Sequence, residues 1–327
     1  MTAFIARRLL HMVPLLLAIS IISFIVINLP PGDYLTVKIL ELESRGDTGA
    51  RRIIEQWRER YGLDKPLYMQ YWIWVSNFVK GDFGLSFEYD RPVSQLIGQR
   101  LLLTVLLSLS TLLFTWLIAI PIGIYSATHQ YSAGDQIFSF LGYIGMSLPN
   151  FLLALILMYL SVVHFGWSVG GLFSPEFQDA SWSFAKFVDF LKHLWIPVIV
   201  LGTAGTAGLI RVMRSAMLET LGQQFVQTAR AKGLAESVVV YKHTVRVAIN
   251  PLITMLGYTF PAILSGDAIT AVILNLPTTG PLLLRALEVQ DMYLAGTILL
   301  FLSLFLVIGN LVADILLSIV DPRIRYD

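Results

Sequence analysis

Cysteine is absent from all 327 residues, which excludes disulfide frameworks, thiolate metal sites, iron–sulfur clusters and cysteine nucleophiles. Charge is scarce as well. Asp, Glu, Lys and Arg make up 14% of the chain, against about 25% in an ordinary soluble domain. With 56% hydrophobic residues and a mean hydropathy of +0.70, the uncharged stretches are too long and too apolar to present a wet outer surface. The net charge of +1, from 23 basic and 22 acidic side chains, offers no global attraction for nucleic acid. Catalytic signatures are missing too. There is no G-x-x-x-x-G-K-[ST] loop to cradle nucleotide phosphates and no H-E-x-x-H. The five histidines, His11, His129, His164, His193 and His243, are scattered. The expectation is an integral membrane protein that is not an enzyme and holds neither cofactor nor metal.

A bilayer core about 30 Å thick needs roughly 20 apolar residues per helix. Seven windows lack Asp, Glu, Lys and Arg: Arg8 to Asp33, Arg100 to Asp135, Asp135 to Glu176, Lys192 to Arg211, Arg246 to Asp267, Asp267 to Arg285, and Asp291 to Asp314. The two around Asp267 read as one helix followed by a re-entrant or loop segment, because Asn275-Leu276-Pro277-Thr278-Thr279-Gly280-Pro281 does not continue a helix. The fold class is therefore an all-α membrane protein of six spans. The first window is read as an uncleaved helix, since it is long enough to span and ends in Pro30-Pro31-Gly32-Asp33 without a small-x-small site.

Basic residues in short loops set the orientation. The segment between the fourth and fifth spans holds Arg211, Arg214, Arg230, Lys232, Lys242 and Arg246 against Glu219 and Glu236, the strongest cytoplasmic vote in the chain. Arg7 and Arg8 at one end and Arg323 and Arg325 at the other agree with it, so both termini are expected in the cytoplasm. Three regions follow. Residues 1–32 form the N-terminus and first span. Residues 33–98 form a polar extracytoplasmic insertion with nine basic and ten acidic side chains. Residues 99–327 form a five-helix core that includes a cytoplasmic segment, 216–248.

Within the insertion, Ala50 to Tyr61 reads as a helix with Ile53, Ile54 and Trp57 on one face, ended by Gly62. Leu67 to Val79 reads as an aromatic helix through Tyr68, Tyr71, Trp72, Trp74 and Phe78. Its rings suit an interfacial belt, a packed cap or a platform for substrate. The cytoplasmic segment is amphipathic and free of proline from Glu219 to Val247. Ala229 and Ala231 are small enough for a partner to approach the backbone, Arg230 and Lys232 flank them, and Gly233 permits a turn between two short helices. This pattern suits a docking surface; the alternative is a basic loop that fixes topology and touches anionic lipid. Asp267 is an ionisable group at a membrane helix, a functional-site hypothesis by default; the alternative is a structural residue near the outer interface.

Phe225-Val226-Gln227-Thr228-Ala229-Arg230-Ala231-Lys232-Gly233-Leu234, followed by Asn250-Pro251-Leu252, resembles the coupling signature of the membrane-spanning permease subunits of ATP-binding-cassette importers, in the B-type branch of the dipeptide/oligopeptide/nickel family. Other pieces occur in family order: Leu29-Pro30-Pro31-Gly32-Asp33, Lys80-Gly81-Asp82-Phe83-Gly84-Leu85-Ser86 with Arg91-Pro92-Val93, Ser147-Leu148-Pro149-Asn150-Phe151, and Asp321-Pro322-Arg323-Ile324-Arg325-Tyr326. The resemblance covers essentially the whole chain. Two departures stand out. The glutamate that heads the signature in many importers is replaced by Gln227 or Thr228, and Ala271 stands where peptide carriers usually have a glutamate, ahead of Leu276-Pro277-Thr278-Thr279-Gly280.

The resemblance implies half of a translocation pathway in a prokaryotic cell (inner) membrane. Thr228, Ala229, Arg230, Ala231, Lys232, Gly233, Leu234 and Glu236 would couple to the ATPase, and Asp267, Asn275, Thr278 and Thr279 would lie near the pathway. The implied partners are a homologous second permease, two ATPase subunits that bind the ATP and Mg, an extracytoplasmic substrate-binding protein, and the lipid bilayer, with no nucleic acid. Peptides are the expected cargo, with oligosaccharides or nickel as alternatives. The reading from another class is a secondary transporter that runs without an ATPase, its broken helices marked by Pro121 and Pro149.

Overall fold

The structure is a computed structural model that describes residues 2–28, 64–166, 170–178, 180–265 and 268–320. The expected helix at Ala50 to Tyr61 with the rest of residues 33–63 of the polar insertion, Asp267, and the tail with Arg323 and Arg325 lie outside the described residues. Helices dominate: α1 (Thr2–Asn28), α2 (Leu67–Val79), α3 (Val93–Thr128), α4 (Ala133–Ser147), α5 (Asn150–Phe165), α6 (Phe184–Leu221), α7 (Gln224–Ala231), α8 (Glu236–Val238), α9 (Val245–Ala248), α10 (Asn250–Ser265), α11 (Ala268–Ile273), α12 (Thr279–Glu288) and α13 (Met292–Val320). The exception is a small antiparallel ladder of β1 (Leu85–Ser86) and β2 (Arg91–Pro92), with Leu85 opposite Pro92 and Ser86 opposite Arg91. Its turn places Asp90 at φ 49°.

Among the described residues, four helices are long and apolar enough to cross a membrane: α1 over Leu10–Asn28, α3, α6 and α13. The Asp135 to Glu176 window is a bent pair rather than a straight span. Helices α4 and α5 meet at 103°, which makes five spans if the pair counts as one. The cause is local. Proline disfavours helical backbone in the residue before it, so Leu148 is extended at ψ 121° and Pro149 opens α5 at φ −58°, ψ 136°. Helix α10, in the window expected to hold the fifth span, has 16 residues, roughly 24 Å at 1.5 Å per residue. The structure thus establishes a multi-pass fold with four to five membrane-length helices.

The chain divides into two compact units. The first, residues 1–103 and 278–304, packs Phe24, Trp74, Phe87, Val93, Ile97, Leu282 and Tyr293 into one apolar cluster. Helix α2 matches the expected aromatic helix end for end. Its rings divide: Trp74 is buried and Tyr71 and Phe78 pack beside it, whereas Tyr68 and Trp72 are exposed. The second unit, residues 104–277 and 305–327, is organised by α3 against α6 through Ala119, Ile124, Leu209, Met213 and Met217. Close approach here depends on small residues, as is usual where lipid supplies no hydrophobic drive between helices. A Cβ on Gly123 would stand 2.6 Å from the Met213 Cβ, and one on Gly202 would stand 2.8 Å from the Phe114 ring.

Candidate coupling surface and pathway turn

Helix α6 ends at Leu221, and after Gly222 and Gln223 the chain starts α7. The sequence alternates buried and exposed positions so that Val226 and Ala229 point inward onto Val239 and Leu221. Ala229 is thus part of the segment's own small core, while Ala231 remains exposed. Helix α7 stops at a turn of defined chemistry. Gly233 has φ +73°, a left-handed conformation that costs a residue with a Cβ about 1–2 kcal/mol. The Gly233 amide donates to the Arg230 carbonyl at 2.9 Å and the Leu234 amide donates to that of Ala229 at 3.4 Å, the paired bonds of a Schellman ending. The expected turn between two short helices is what the structure contains.

Across that turn Arg230 clamps Glu236. Its Nη2 donates to Oε1 at 2.6 Å and its Nε to Oε2 at 3.1 Å, a two-pronged geometry that fixes orientation as well as distance. The guanidinium holds the Glu236 carboxyl below the usual carboxylate range, and Glu236 in turn raises Arg230. The Thr228 hydroxyl turns back and donates to the Gln224 carbonyl at 2.9 Å. Beyond α8 the chain winds as a π-helix over Val239–Thr244, and the Thr244 hydroxyl donates to the Val239 carbonyl at 3.0 Å. The outer surface of the segment is mixed: Phe225, Ala231, Lys232, Gly233, Leu234, Glu236, Val238 and Tyr241 are all exposed. Such a surface has charges for steering and apolar side chains for burial, with no group arranged for chemistry.

Three of the four expected pathway residues are described. Asp267 lies outside the described residues. In the second unit, Asn275 is exposed and supplies the left-handed residue, φ +50°, that ends α11. The bonds repeat the Schellman pattern, Asn275 amide to Val272 carbonyl at 3.0 Å and Leu276 amide to Ala271 carbonyl at 2.8 Å. In the first unit, Thr278 and Thr279 are buried and begin α12. The stretch expected not to continue a helix therefore breaks one and starts another, because Pro281 falls in the first turn of α12, where an amide hydrogen has no partner in the helix.

Two polar anchors escaped the sequence reading. In the second unit Arg214 of α6 grips Asp135 of α4 with two bonds, Nε to Oδ1 at 3.0 Å and Nη2 to Oδ2 at 2.9 Å. In the first unit Asp291 is fully buried and accepts from the Ser86 hydroxyl at 2.5 Å and from the Glu88 amide at 3.2 Å; it also caps α13 through the Leu294 amide at 3.2 Å. Their sequence separations, 79 and 205 residues, leave no local pattern to find. Among the described residues, no group of three or more His, Cys, Asp or Glu is arranged to hold a metal ion.

Residues 119–326 match the family described as binding-protein-dependent transport system inner membrane component, and residues 1–110 match the N-terminal region of such components. The oligopeptide transport system permease protein AppB of Bacillus subtilis is 39% identical over 328 residues, with all of both chains covered. The glutathione transport system permease protein GsiC of Escherichia coli K12 is 32% identical over 326 residues, again with both chains fully covered. A solved structure of the MetNI methionine ABC transporter, inward facing, shares the fold with a TM-score of 0.52 at 16% identity, over 69% of this chain and 97% of that one. The chain belongs to the family of binding-protein-dependent transport system inner membrane components, the multi-pass permease subunits of ATP-binding-cassette importers.

Proposed function

We propose that this permease forms half of a peptide-translocating pathway with a homologous second permease, and receives ATPase closure through the turn at Thr228–Glu236. The observation that carries the coupling role is the construction of that turn. A left-handed glycine and a two-pronged Arg230–Glu236 pair hold an exposed, mixed surface directly after the long helix α6. A loop that merely fixed topology would need positive charge and no such rigidity. The peptide assignment rests on whole-length relatives named for oligopeptide and glutathione transport. In this reading α1, α3, the α4–α5 pair, α6, α10 with α11, and α13 are the six spans. Both termini are cytoplasmic, residues 33–98 belong to the outer side where a binding protein delivers substrate, and residues 99–327 form the core. Asp267 and Asn275 border the pathway, and Thr278 and Thr279 set the α12 start beside it.

The absence of cysteine makes the test direct, because an introduced thiol is unique in this chain. Ala231→Cys and Ser237→Cys are labelled with a membrane-impermeant maleimide in inside-out vesicles, with and without the two ATPase subunits. Labelling without the ATPase and protection with it support the docking surface. Equal labelling in both states overturns it, and labelling only from the opposite face overturns the topology. Stimulation of ATP hydrolysis by the loaded binding protein, compared for di- to oligopeptides, oligosaccharides and Ni2+, decides the cargo. Uptake that persists without any ATPase would instead establish the secondary transporter.

A further inference from the structure

The charge pattern assigns Leu67–Val79 to the polar insertion, yet from Pro66 to Val79 there is no Asp, Glu, Lys or Arg. The neighbours of α2 are also unusual for a water-exposed cap. The Tyr71 hydroxyl lies 2.8 Å from that of Ser20, eight residues inside the Asn28 end of α1, or about 12 Å along its axis. The apolar stretch Leu10–Asn28 has 19 residues, roughly 28 Å, close to the thickness of a bilayer's hydrocarbon core. Ser20 therefore lies near mid-membrane. At the other end of α2, the Phe78 ring is 5.7 Å from that of Phe301, nine residues inside the Met292 start of α13, or about 13 Å. Between them Trp74 crosses α13 so closely that a Cβ on Gly296 would stand 2.8 Å from its ring. Two independent spans thus place α2 at the same depth, inside the membrane half that holds the Asn28 and Met292 ends.

Beside the buried stripe runs a second one. Tyr68, Trp72 and Val79 lie within about 40° of one another at 100° per residue, and they are 72%, 71% and 81% exposed. At this depth water is not the solvent. The free side of α1 next door, with Ile22 and Ile25 exposed, is of the same uncharged kind.

We propose that α2 is a half-membrane helix whose Tyr68–Trp72–Val79 stripe is covered by the acyl chains and glycerol region of one leaflet. Charged residues stand only beyond its two ends, Asp64 and Lys65 before it and Lys80 and Asp82 after it. The proposal rests on α1 being a span, and the controls test that separately. Spin labels are attached at Trp72→Cys and, independently, at Val79→Cys in the complete importer in nanodiscs. Both side chains lie outside the core, so either variant leaves the packing intact. Collisions with dissolved oxygen and with a water-soluble nickel chelate are measured beside Ile22→Cys and Ile25→Cys on α1 and Glu176→Cys, an exposed loop site. The expected result is that both α2 labels behave like the α1 labels, with frequent oxygen collisions and loss of the chelate collisions seen at Glu176→Cys. Chelate access at α2 like that at Glu176→Cys means a water-exposed cap and overturns the proposal. Protection from both reagents means a protein cover, such as residues 33–63 or the binding protein, and also overturns it. Chelate access at Ile22→Cys and Ile25→Cys as well removes α1 from the bilayer and overturns the span reading with it.

Discussion

Replacing Asp291 with alanine should destabilise the first unit far more than replacing it with asparagine. The side chain is fully buried, and one carboxylate holds the hairpin loop through Ser86 and Glu88 and the start of α13 through Leu294. Alanine removes the helix cap, worth about 1 kcal/mol, and leaves the Glu88 amide without its acceptor, at about 1–3 kcal/mol. With the Ser86 hydroxyl also forced to turn, the total is about 2–5 kcal/mol. Asparagine keeps one oxygen for Ser86 and Glu88 and turns its amide toward the Leu294 N–H, so it loses the cap alone, about 1 kcal/mol. The assay is the apparent melting temperature of the detergent-solubilised complex for the three proteins across pH. Burial pushes the Asp291 carboxyl up, against the pull of its hydrogen bonds from Ser86, Glu88, Leu294 and Phe87. The folded protein therefore keeps this proton at pH values where the unfolded chain has released it. The contribution is complete below the ordinary carboxylate range and is lost as pH rises through the elevated value. Asp291→Asn removes that slope. Alanine melting with the wild type refutes the hydrogen-bond argument, and asparagine falling as far as alanine shows that charge rather than acceptance holds the junction.

Three further outcomes follow from particular contacts. Asp135→Asn and Arg214→Met each leave a charged partner facing a mostly buried site, which costs about 3–5 kcal/mol when a buried pair is broken from one side; unchanged melting of both variants would show that water already screens the pair. Gly233→Asn should keep ATPase stimulation by the loaded binding protein, because asparagine tolerates the left-handed backbone, whereas Gly233→Val should lose it at normal membrane levels. Nothing lies within 4 Å of a Cβ at Gly233 in the isolated chain, so equal behaviour of Asn and Val would remove the turn from the coupling path. Gly84→Ala combines a φ of +81° with a Cβ 2.5 Å from the Tyr293 ring. The double variant Gly84→Ala/Tyr293→Ala should show less than additive loss in the same melting assay, and simple additivity would mean the clash is relieved elsewhere.

What could be read from the sequence is what is written in short-range pattern. The limits of α2 follow from the charge-free run after Pro66 and the Lys80-Gly81 stop, and the left-handed turn at Gly233 from a glycine placed between two amphipathic stretches. The bend at Leu148-Pro149 is equally local, since Pro149 disfavours helical backbone at Leu148, yet counting uncharged residues passes straight over it. Burial is harder to read than periodicity. Ala229 has the size of a docking residue, but its neighbours at Val226 and Val239 claim it. Thr278 and Thr279 read as polar residues of a helix-breaking stretch, and their enclosure at a helix start is not visible in that pattern. The ties of Asp135 to Arg214 and of Asp291 to Ser86 depend on which distant segments meet, and no spacing rule encodes that.

The proposed coupling surface is useful only if what lies behind it is stiff, and α6 meets that requirement at both ends. It runs 38 residues without a break, about 57 Å at 1.5 Å per residue, and Pro197 within it is buried rather than hinged in the open. At its start Ser183 caps the Lys186 amide, and the buried Lys186 ammonium donates to the Ala180 carbonyl at 2.6 Å and to that of Gln178 at 3.3 Å, over the Phe173 ring at 4.7 Å. One turn on, Asp189 accepts from both the amide and the hydroxyl of Ser174 at 2.7 Å. At its end Met213 and Met217 are fully buried and Arg214 is bound to Asp135. A rod held this way transmits a tilt instead of absorbing it: rotating it by about 10° about its centre moves each end by roughly 5 Å. Packed elements of this kind switch as rigid bodies. On the proposed coupling reading, a push on the turn at Gly233, two residues past α7, would reach the loop at Ser174 as displacement rather than as local unwinding, and the ties at the two ends of α6 would matter to transport as much as the surface the ATPase is proposed to touch.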